Sequence, residues 1–266
     1  MQTFHSHNFK KQLGQNFIRS TATIKKILGF LEIQPSDNII EIGPGDGRFT
    51  DELVQYDLKK LTLVEIDTDL ISFLKNKFDN SISKGTLEIL NQNILDLELS
   101  NWNLEFKLYG SLPYNISKRI IAKFIECENL PERMVYIVQK EVAQDYVAQA
   151  PDASYIGNYI KIFADVKLVM SIPKEQFYPM PKVDGGVLLI KPRKVDLEEG
   201  RAIAKFIYNG FRNKRKKLSK VLNSIYRDID WVKEFEALKI NPNARAQELE
   251  YETWLKLFNR NTIPNA

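Results

Sequence analysis

From residue 38 to about 192 the chain alternates short apolar runs with amphipathic stretches. Runs at 38–42, 61–66, 86–90, 105–110 and 133–138 read as strands, and helical spacing fills 48–56, 68–78, 117–127 and 140–149. Near-continuous apolar segments such as 134–138 suit a parallel sheet covered on both faces. Two further runs, 165–172 and 186–192, are expected to close that sheet. Ahead of it, Ser20 opens a helix whose Ile24, Ile27, Leu28 and Leu31 fall at i, i+3, i+4 and i+7, and Pro35 and Ser36 precede the first strand. Beyond Pro192 the pattern stays helical with no convincing strand. This places a domain boundary near 194–196, with an α/β domain over 1–194, opened by a polar and basic arm, and a small all-α domain over 195–266. No internal repeat or low-complexity tract interrupts the pattern.

The most informative break lies between the first strand and its helix, where Gly43, Gly45 and Gly47 interrupt the apolar run after Glu41. Glycines permit positive φ and remove the Cβ atoms that would hold a ligand off the main chain, while the helix that follows points N–H groups at the same place. A nucleoside-type cofactor is expected there. A dinucleotide fold requires G-x-G-x-x-G with a pyrophosphate on the helix N-terminus. The spacing here is G-x-G-x-G, which resembles motif I of S-adenosyl-L-methionine (SAM) methyltransferases. Glu65 ends the second strand about 20 residues on, where a carboxylate can accept both ribose hydroxyls. Taken alone, the glycines could simply make the turn; the acid at the second strand end argues against that.

Composition narrows the chemistry. The chain has 266 residues and 44% hydrophobic content, enough for a sizeable core, and its net charge is only +4. Cys127 is the single cysteine, so no internal disulfide forms. With no signal-like or spanning segment, a cytoplasmic protein without membrane contact is expected. Both histidines, His5 and His7, lie at the extreme N-terminus, which leaves no Ser-His-Asp triad and no His/Cys metal cluster, so no metal is expected. Nothing in the sequence calls for an oligomer, and a monomer is the expectation.

The fourth strand runs into Ser111-Leu112-Pro113-Tyr114, at the carboxyl end of the sheet where open α/β folds bind ligands. The segment resembles motif IV of amino-methyltransferases, N/D/S-x-P-aromatic. An exocyclic base amine is a poor nucleophile because its lone pair is delocalised into the ring. A hydroxyl at Ser111 and the backbone carbonyl of Leu112 can accept its two N–H bonds and favour a pyramidal nitrogen, while Tyr114 stacks on the base. The bland alternative is a proline turn.

Six segments then stand in the order found in ribosomal RNA adenine dimethyltransferases: GQNF at 14–17, EIGPGDG at 41–47, SLPYNIS at 111–117, QKEVA at 139–143, FYPMPKVDGGV at 177–187 and FRNKRKKL at 211–218. The chain resembles that family over nearly its whole length. The resemblance implies an α/β fold consisting of a Rossmann-like class I SAM-dependent methyltransferase domain with a small all-α C-terminal domain. It further implies transfer of four methyls to two adjacent adenines in the 3′-terminal hairpin loop of small-subunit (16S) rRNA. By position it assigns Asn16 and Ile18 to closing the SAM pocket, Gly43 and Gly45 to the cofactor loop, Glu65 to the ribose and Asn93 to the SAM adenine. Ser111 would meet both SAM and the target amine, and Phe177 would form a second aromatic wall opposite Tyr114. The plain reading of Phe177 is a core aromatic before a rigid turn. The chain departs from the family at Asn93, where Asp is usual, and at Ser111, where Asn is usual. The Asn93 amide oxygen is expected still to accept an adenine N–H. Asp145 and Asn158 stand where arginines are common, and Gln247 replaces a glutamate.

Charge placement supports an RNA partner. Residues 191–220 hold 11 Lys/Arg against 3 Asp/Glu. Within 211–225 the apolar stripe Leu218, Val221, Leu222 and Ile225 leaves Arg212, Lys214, Arg215, Lys216 and Lys217 on the other faces, read here as one helix with a phosphate-facing side. A solvated face is the alternative. The target adenine is expected to be unpaired or flipped. Three other functions remain open: an erythromycin-resistance-type methylase of large-subunit rRNA, a non-catalytic ribosome-assembly or RNA-binding factor on the same fold, and an NAD oxidoreductase.

Overall fold

The computed structural model describes residues 16–99, 105–113 and 115–261. Packing divides the chain into two compact units. One runs to Ala143 and takes in Lys167–Pro192; the other comprises Gln144–Val166 and the chain from Arg193 onward.

The first unit is built on a mixed sheet. Its parallel strands are β2 (Asn38–Ile42), β3 (Lys60–Glu65), β4 (Leu87–Asn91), β5 (Lys107–Ser111) and β6 (Arg133–Gln139), and β9 (Gly185–Pro192) joins β6 antiparallel. With β7 (Ala164–Ile172) the order among the described residues is β4-β3-β2-β5-β6-β9-β7. The chain winds outward from β2 through β3 to β4, then returns to the other side of β2 as β5. That reversal leaves a crevice over the carboxyl ends of β2 and β5, the position at which open α/β sheets bind ligands. Central strands are buried along nearly their whole length, whereas the outer strands β4 and β7 are only partly covered. This explains why the middle of the sheet reads as continuous apolar sequence.

Helices α1 (Thr21–Gly29), α2 (Arg48–Leu53), α3 (Thr68–Lys77), α4 (Asp79–Ser83), α5 (Ser117–Ile125) and α6 (Lys140–Val147) connect or precede these strands. The Ser20 hydroxyl accepts the Thr23 N–H at 3.3 Å, capping α1, and Ile24, Ile27, Leu28 and Leu31 are buried as the spacing required. A second, two-stranded sheet pairs β1 (Phe17–Ile18) antiparallel with β8 (Phe177–Tyr178). Two-residue strands carry no sequence periodicity, so nothing in the pattern announced them. At the opposite end of the main sheet, Lys107 Nζ bonds Asp37 at 2.7 Å and the Glu32 carbonyl at 2.9 Å, and Arg133 pairs with Glu32 and donates to the Phe30 carbonyl at 2.9 Å. These buried cations fasten the start of β5 and β6 and belong to the scaffold.

The described part of the second unit is mostly helical. It contains α7 (Tyr155–Phe163), α8 (Leu197–Phe211), α9 (Leu218–Asn223), α10 (Trp231–Ala237) and α11 (Tyr251–Arg260). Its core is aromatic: Phe206 lies 6.0 Å from Trp231 and 5.8 Å from Trp254, ring centre to ring centre. Packing moves 144–166 out of the α/β unit in which a single boundary at 194 had placed it. The cause is α7, whose Tyr155 meets Tyr208 and Phe211 of α8 and whose Phe163 lies where a Cβ on Gly200 would come within 2.6 Å. No compositional break marks that segment.

Candidate functional site

The crevice over β2 and β5 holds a cavity of about 320 Å³, within the range of roughly 300–1,000 Å³ usual for ligand sites. Its edge is set by the loop after β2. Gly43, Gly45 and Gly47 all take positive φ, at 65°, 59° and 76°. A Cβ at Gly43 would meet nothing within 4 Å, so the main chain there faces open space. Gly45 is constrained differently: its Cβ would lie 2.3 Å from Cε1 of Phe17, because β1 lays that ring across the loop. The N-terminal strand therefore covers the glycine loop, and Asn16, Phe17 and Ile18 all line the cavity.

Two buried carboxyl groups stand beneath the loop. Glu65, at the end of β3, accepts the Gly45 N–H at 3.4 Å and the Asp67 N–H at 2.8 Å, one on each oxygen. Burial pushes its pKa up, opposed by those backbone bonds. Each oxygen keeps a further lone pair with which to accept a hydroxyl. Glu41, on β2, is 1% exposed and accepts the Thr50 hydroxyl at 2.7 Å. Desolvation pushes it up to about 8, so the acid that precedes the loop is largely protonated at neutral pH.

Seven residues singled out in the sequence as cofactor contacts line this one cavity: Asn16, Ile18, Gly43, Gly45, Glu65, Asn93 and Ser111. Asn93 is also tied to its own loop. Its amide oxygen accepts the Leu95 N–H at 3.0 Å and caps a short 3-10 turn over Ile94–Asp96. That oxygen keeps a second lone pair with which to accept a donor from a ligand.

Ser111 ends β5 and is half-buried on the cavity wall, and its hydroxyl has no hydrogen-bond partner among the described residues. Leu112 is buried, its N–H held by the Ile137 carbonyl at 2.9 Å, which fixes its peptide against β6. Pro113 lines the cavity while its carbonyl accepts the Ile116 and Ser117 N–H groups at 3.2 and 3.0 Å, starting α5. Tyr114 lies outside the described residues. Phe177 is 5% exposed and does not line this cavity; its ring packs where a Cβ on Gly185 would come within 2.8 Å. Because Gly185 pairs with Gln139 and Ile137 pairs with Ser111, that ring stands near the end of the strand beside the Ser111 segment.

Sequence reasoning missed several wall residues. Tyr109 pairs with Glu41 across β2 and β5 and stacks on Phe49 at 4.4 Å, while Ile66, Arg48 and Arg119 complete the rim. Only the strand register could have revealed Tyr109. Ile66, 53% exposed immediately after Glu65, was legible as an apolar residue past a strand end. Among the described residues no group of three His, Cys, Asp or Glu could hold a metal, and no helix is long and apolar enough to cross a membrane.

In the second unit, Arg212, Lys214, Arg215, Lys216 and Lys217 are all exposed. They do not form a helix face. Residues 212–217 make the turn between α8 and α9, with Lys216 N–H on the Asn213 carbonyl at 3.0 Å and Leu218 N–H on the Ala244 carbonyl at 2.8 Å. Leu218, Val221 and Leu222 bury the stripe that was expected, and Ile225 is half-buried.

An open glycine loop, a carboxylate at the second strand end and a Ser-Leu-Pro segment across the same crevice are the parts of a class I SAM-dependent methyltransferase, and their donors and acceptors fit that cofactor. The chain belongs to the ribosomal RNA adenine dimethylase family, whose model matches residues 6–262. It is 35% identical over 259 residues to a ribosomal RNA small subunit methyltransferase A of Aliarcobacter butzleri, covering 94% of this chain and 95% of the relative. Among solved structures, a dimethyladenosine transferase from Plasmodium falciparum superposes with a TM-score of 0.77 at 23% identity, over 92% of this chain and 96% of the other. The 23S rRNA methyltransferase ErmE gives 0.76 at 24% identity, over 92% and 98%. These two likenesses are of fold, and they do not separate a small-subunit from a large-subunit substrate.

Proposed function

We propose that this chain transfers methyl groups from S-adenosyl-L-methionine to the N6 amines of two adjacent adenosines in the 3′-terminal hairpin loop of small-subunit (16S) rRNA, acting as a cytoplasmic monomer in small-subunit biogenesis. The observation that carries the reading is that Ser111 and Pro113 rim the same cavity as the glycine loop and Glu65. The relatives of known name and the family match support this substrate over the large-subunit one.

When bound, SAM supplies an electrophilic methyl on a sulfonium. Glu65 would accept the ribose hydroxyls, the main chain at Gly43 would hold the methionine portion, and Asn16 and Ile18 would close the cavity from the N-terminal side. Ser111 Oγ and the Leu112 carbonyl accept the two N–H bonds of the target amine. That arrangement draws the nitrogen lone pair out of conjugation with the ring and holds it in line for displacement. The firmly seated Leu112 peptide provides this with little reorganisation. Loss of a proton from the methylated nitrogen to solvent completes each transfer, so no side-chain base is required. Tyr114 supplies an aromatic wall for the flipped base, the buried Phe177 ring backs the strand end beside it, and the basic turn at 212–217 binds rRNA phosphates.

Small ribosomal subunits lacking adenine dimethylation, incubated with the protein and labelled SAM, are digested and analysed by mass spectrometry. Dimethyladenosine at two adjacent loop positions is the expected product. Ser111, shorter than the usual asparagine, favours one second reading, an assembly factor that binds subunits without transferring methyl. Binding without product would establish that reading, and label in large-subunit rRNA would move the substrate.

A further inference from the structure

The segment that carries Phe177 also presents a surface that the methyl-transfer reading does not use. Its side chains alternate: Phe177 is 5% exposed, Tyr178 is 45% exposed, and Met180, two residues on, is 62% exposed. Pairing with β1 sets the faces. Ile18 opposes Phe177 on the inner side, and Phe17 opposes Tyr178 on the other. Phe17 lines the cofactor cavity, so Tyr178 stands next to a residue of that wall, directly across the strand pair.

Tyr178 is held in place rather than merely exposed. The Arg19 guanidinium lies over its ring, 4.1 Å from the centroid. The Arg19 N–H bonds the Gln176 carbonyl at 3.1 Å, and the Gln176 side chain accepts the Thr23 hydroxyl at 2.8 Å, tying both strands to α1. Ring and cation are thus ordered before any partner arrives, which lowers the entropy lost on binding. A flat, exposed aromatic with a cation upon it suits a nucleobase and its phosphodiester, each supplying one half of the contact. A protein partner would call for a broader apolar patch without a charge set into it.

We propose that Tyr178 and Arg19, flanked by Met180, form a stacking platform for the nucleobase next to the adenosine held in the target pocket. The inference rests on the functional reading above and deepens it. Two adjacent adenosines share one backbone, and Tyr178 stands across the strand pair from Phe17 of the cofactor-cavity wall, so a base on Tyr178 would lie beside the site that takes its neighbour. The platform would hold the waiting adenosine during the first transfers and the finished one during the second.

The test compares wild type with Tyr178→Ala and Tyr178→Trp in three measurements: SAM affinity by calorimetry, affinity for the unmethylated hairpin RNA, and methylation of each adenosine in subunits followed over time by mass spectrometry. Tyr178→Ala should weaken hairpin binding and raise KM for subunits about tenfold, the loss of one base–aromatic stack, and lower the doubly modified fraction. Its SAM affinity and melting temperature should stay at the wild-type values, and Tyr178→Trp should restore RNA binding. Unchanged hairpin affinity and an unchanged doubly modified fraction in Tyr178→Ala would overturn the platform. Parallel loss of SAM affinity and thermal stability would overturn it too, assigning Tyr178 to the packing of β1. A wild-type protein that transfers no methyl would sink the functional reading instead, and the hairpin affinities would still decide the platform.

Discussion

Asn93 offers the sharpest quantitative test of the cofactor site. Its amide oxygen already accepts the Leu95 N–H at 3.0 Å, so a donor on the cofactor would have to share that one oxygen. The 6-amino group of the SAM adenine, a donor, would find on Asn93 only the remaining lone pair of that shared oxygen, a weak bond. Asn93→Asp keeps the cap, because one carboxylate oxygen still accepts from Leu95, and places the other where the amino group can donate. A neutral hydrogen bond adds about 0.5–1.5 kcal/mol and one to a charged group about 1.5–3 kcal/mol. Residue 93 is half-buried, so solvent screening places the gain near the lower end of the charged range. A gain of ~1.4 kcal/mol is a factor of about ten in Kd. Calorimetric titration with SAM should therefore show the aspartate variant binding about tenfold tighter, with an unchanged fold by thermal melt. The control is a cofactor analogue with hydrogen in place of the 6-amino group, which should gain nothing. Equal SAM affinity in the two proteins, or an equal gain for the analogue, would show that residue 93 does not meet the amine.

Further predictions concern the carboxyl pair, the loop and the basic turn. Glu41 is raised to about 8 in the folded protein, so the stability it contributes is fully present below its unfolded pKa near 4.5 and is lost as pH rises through about 8. Glu41→Gln keeps the Thr50 bond and removes the titration; denaturant melts should show wild type losing up to about 5 kcal/mol relative to the variant between pH 4.5 and 8, and parallel profiles would refute the burial argument. Gly45→Ala should cost about 1–2 kcal/mol for positive φ alone, add the displacement of Phe17, and weaken SAM binding at least tenfold by calorimetry. Changing Lys214, Arg215, Lys216 and Lys217 to Gln should flatten the dependence of log Kd for rRNA on log salt by up to about 0.7–0.9 for each phosphate no longer neutralised, while SAM affinity stays constant.

What could be read from the chain alone was what depends on local rules. Strand and helix alternation, the positive-φ glycines, the Glu65 carboxylate at a strand end and the Ser20 cap each follow from neighbours within a few residues, and order-preserving motifs extended that to the family. Residues 212–217 show the limit: one-sided charge beside an apolar stripe reads as one helix, whereas the α8–α9 turn interrupts it.

The tertiary structure decided everything that rests on residues distant in sequence. Phe17 covers Gly45 because β1 and β8 pair across about 160 positions of chain, a contact with no periodic signature. Tyr109 reaches the cavity because β5 returns beside β2, and the same reversal makes Glu41 a buried, protonated acid rather than a surface one. Asp145, Asn158 and Gln247, singled out in the sequence, also turn out to be neighbours. Ser154 donates to the Asp145 carbonyl at 2.6 Å, Asn158 donates to the Ser154 carbonyl at 2.9 Å, and Ala153 donates to the Gln247 carbonyl at 3.0 Å. Read along the chain they are three unrelated residues. Folded, they surround one turn, because hydrogen bonding depends on separation in space and a sequence records only separation along the backbone.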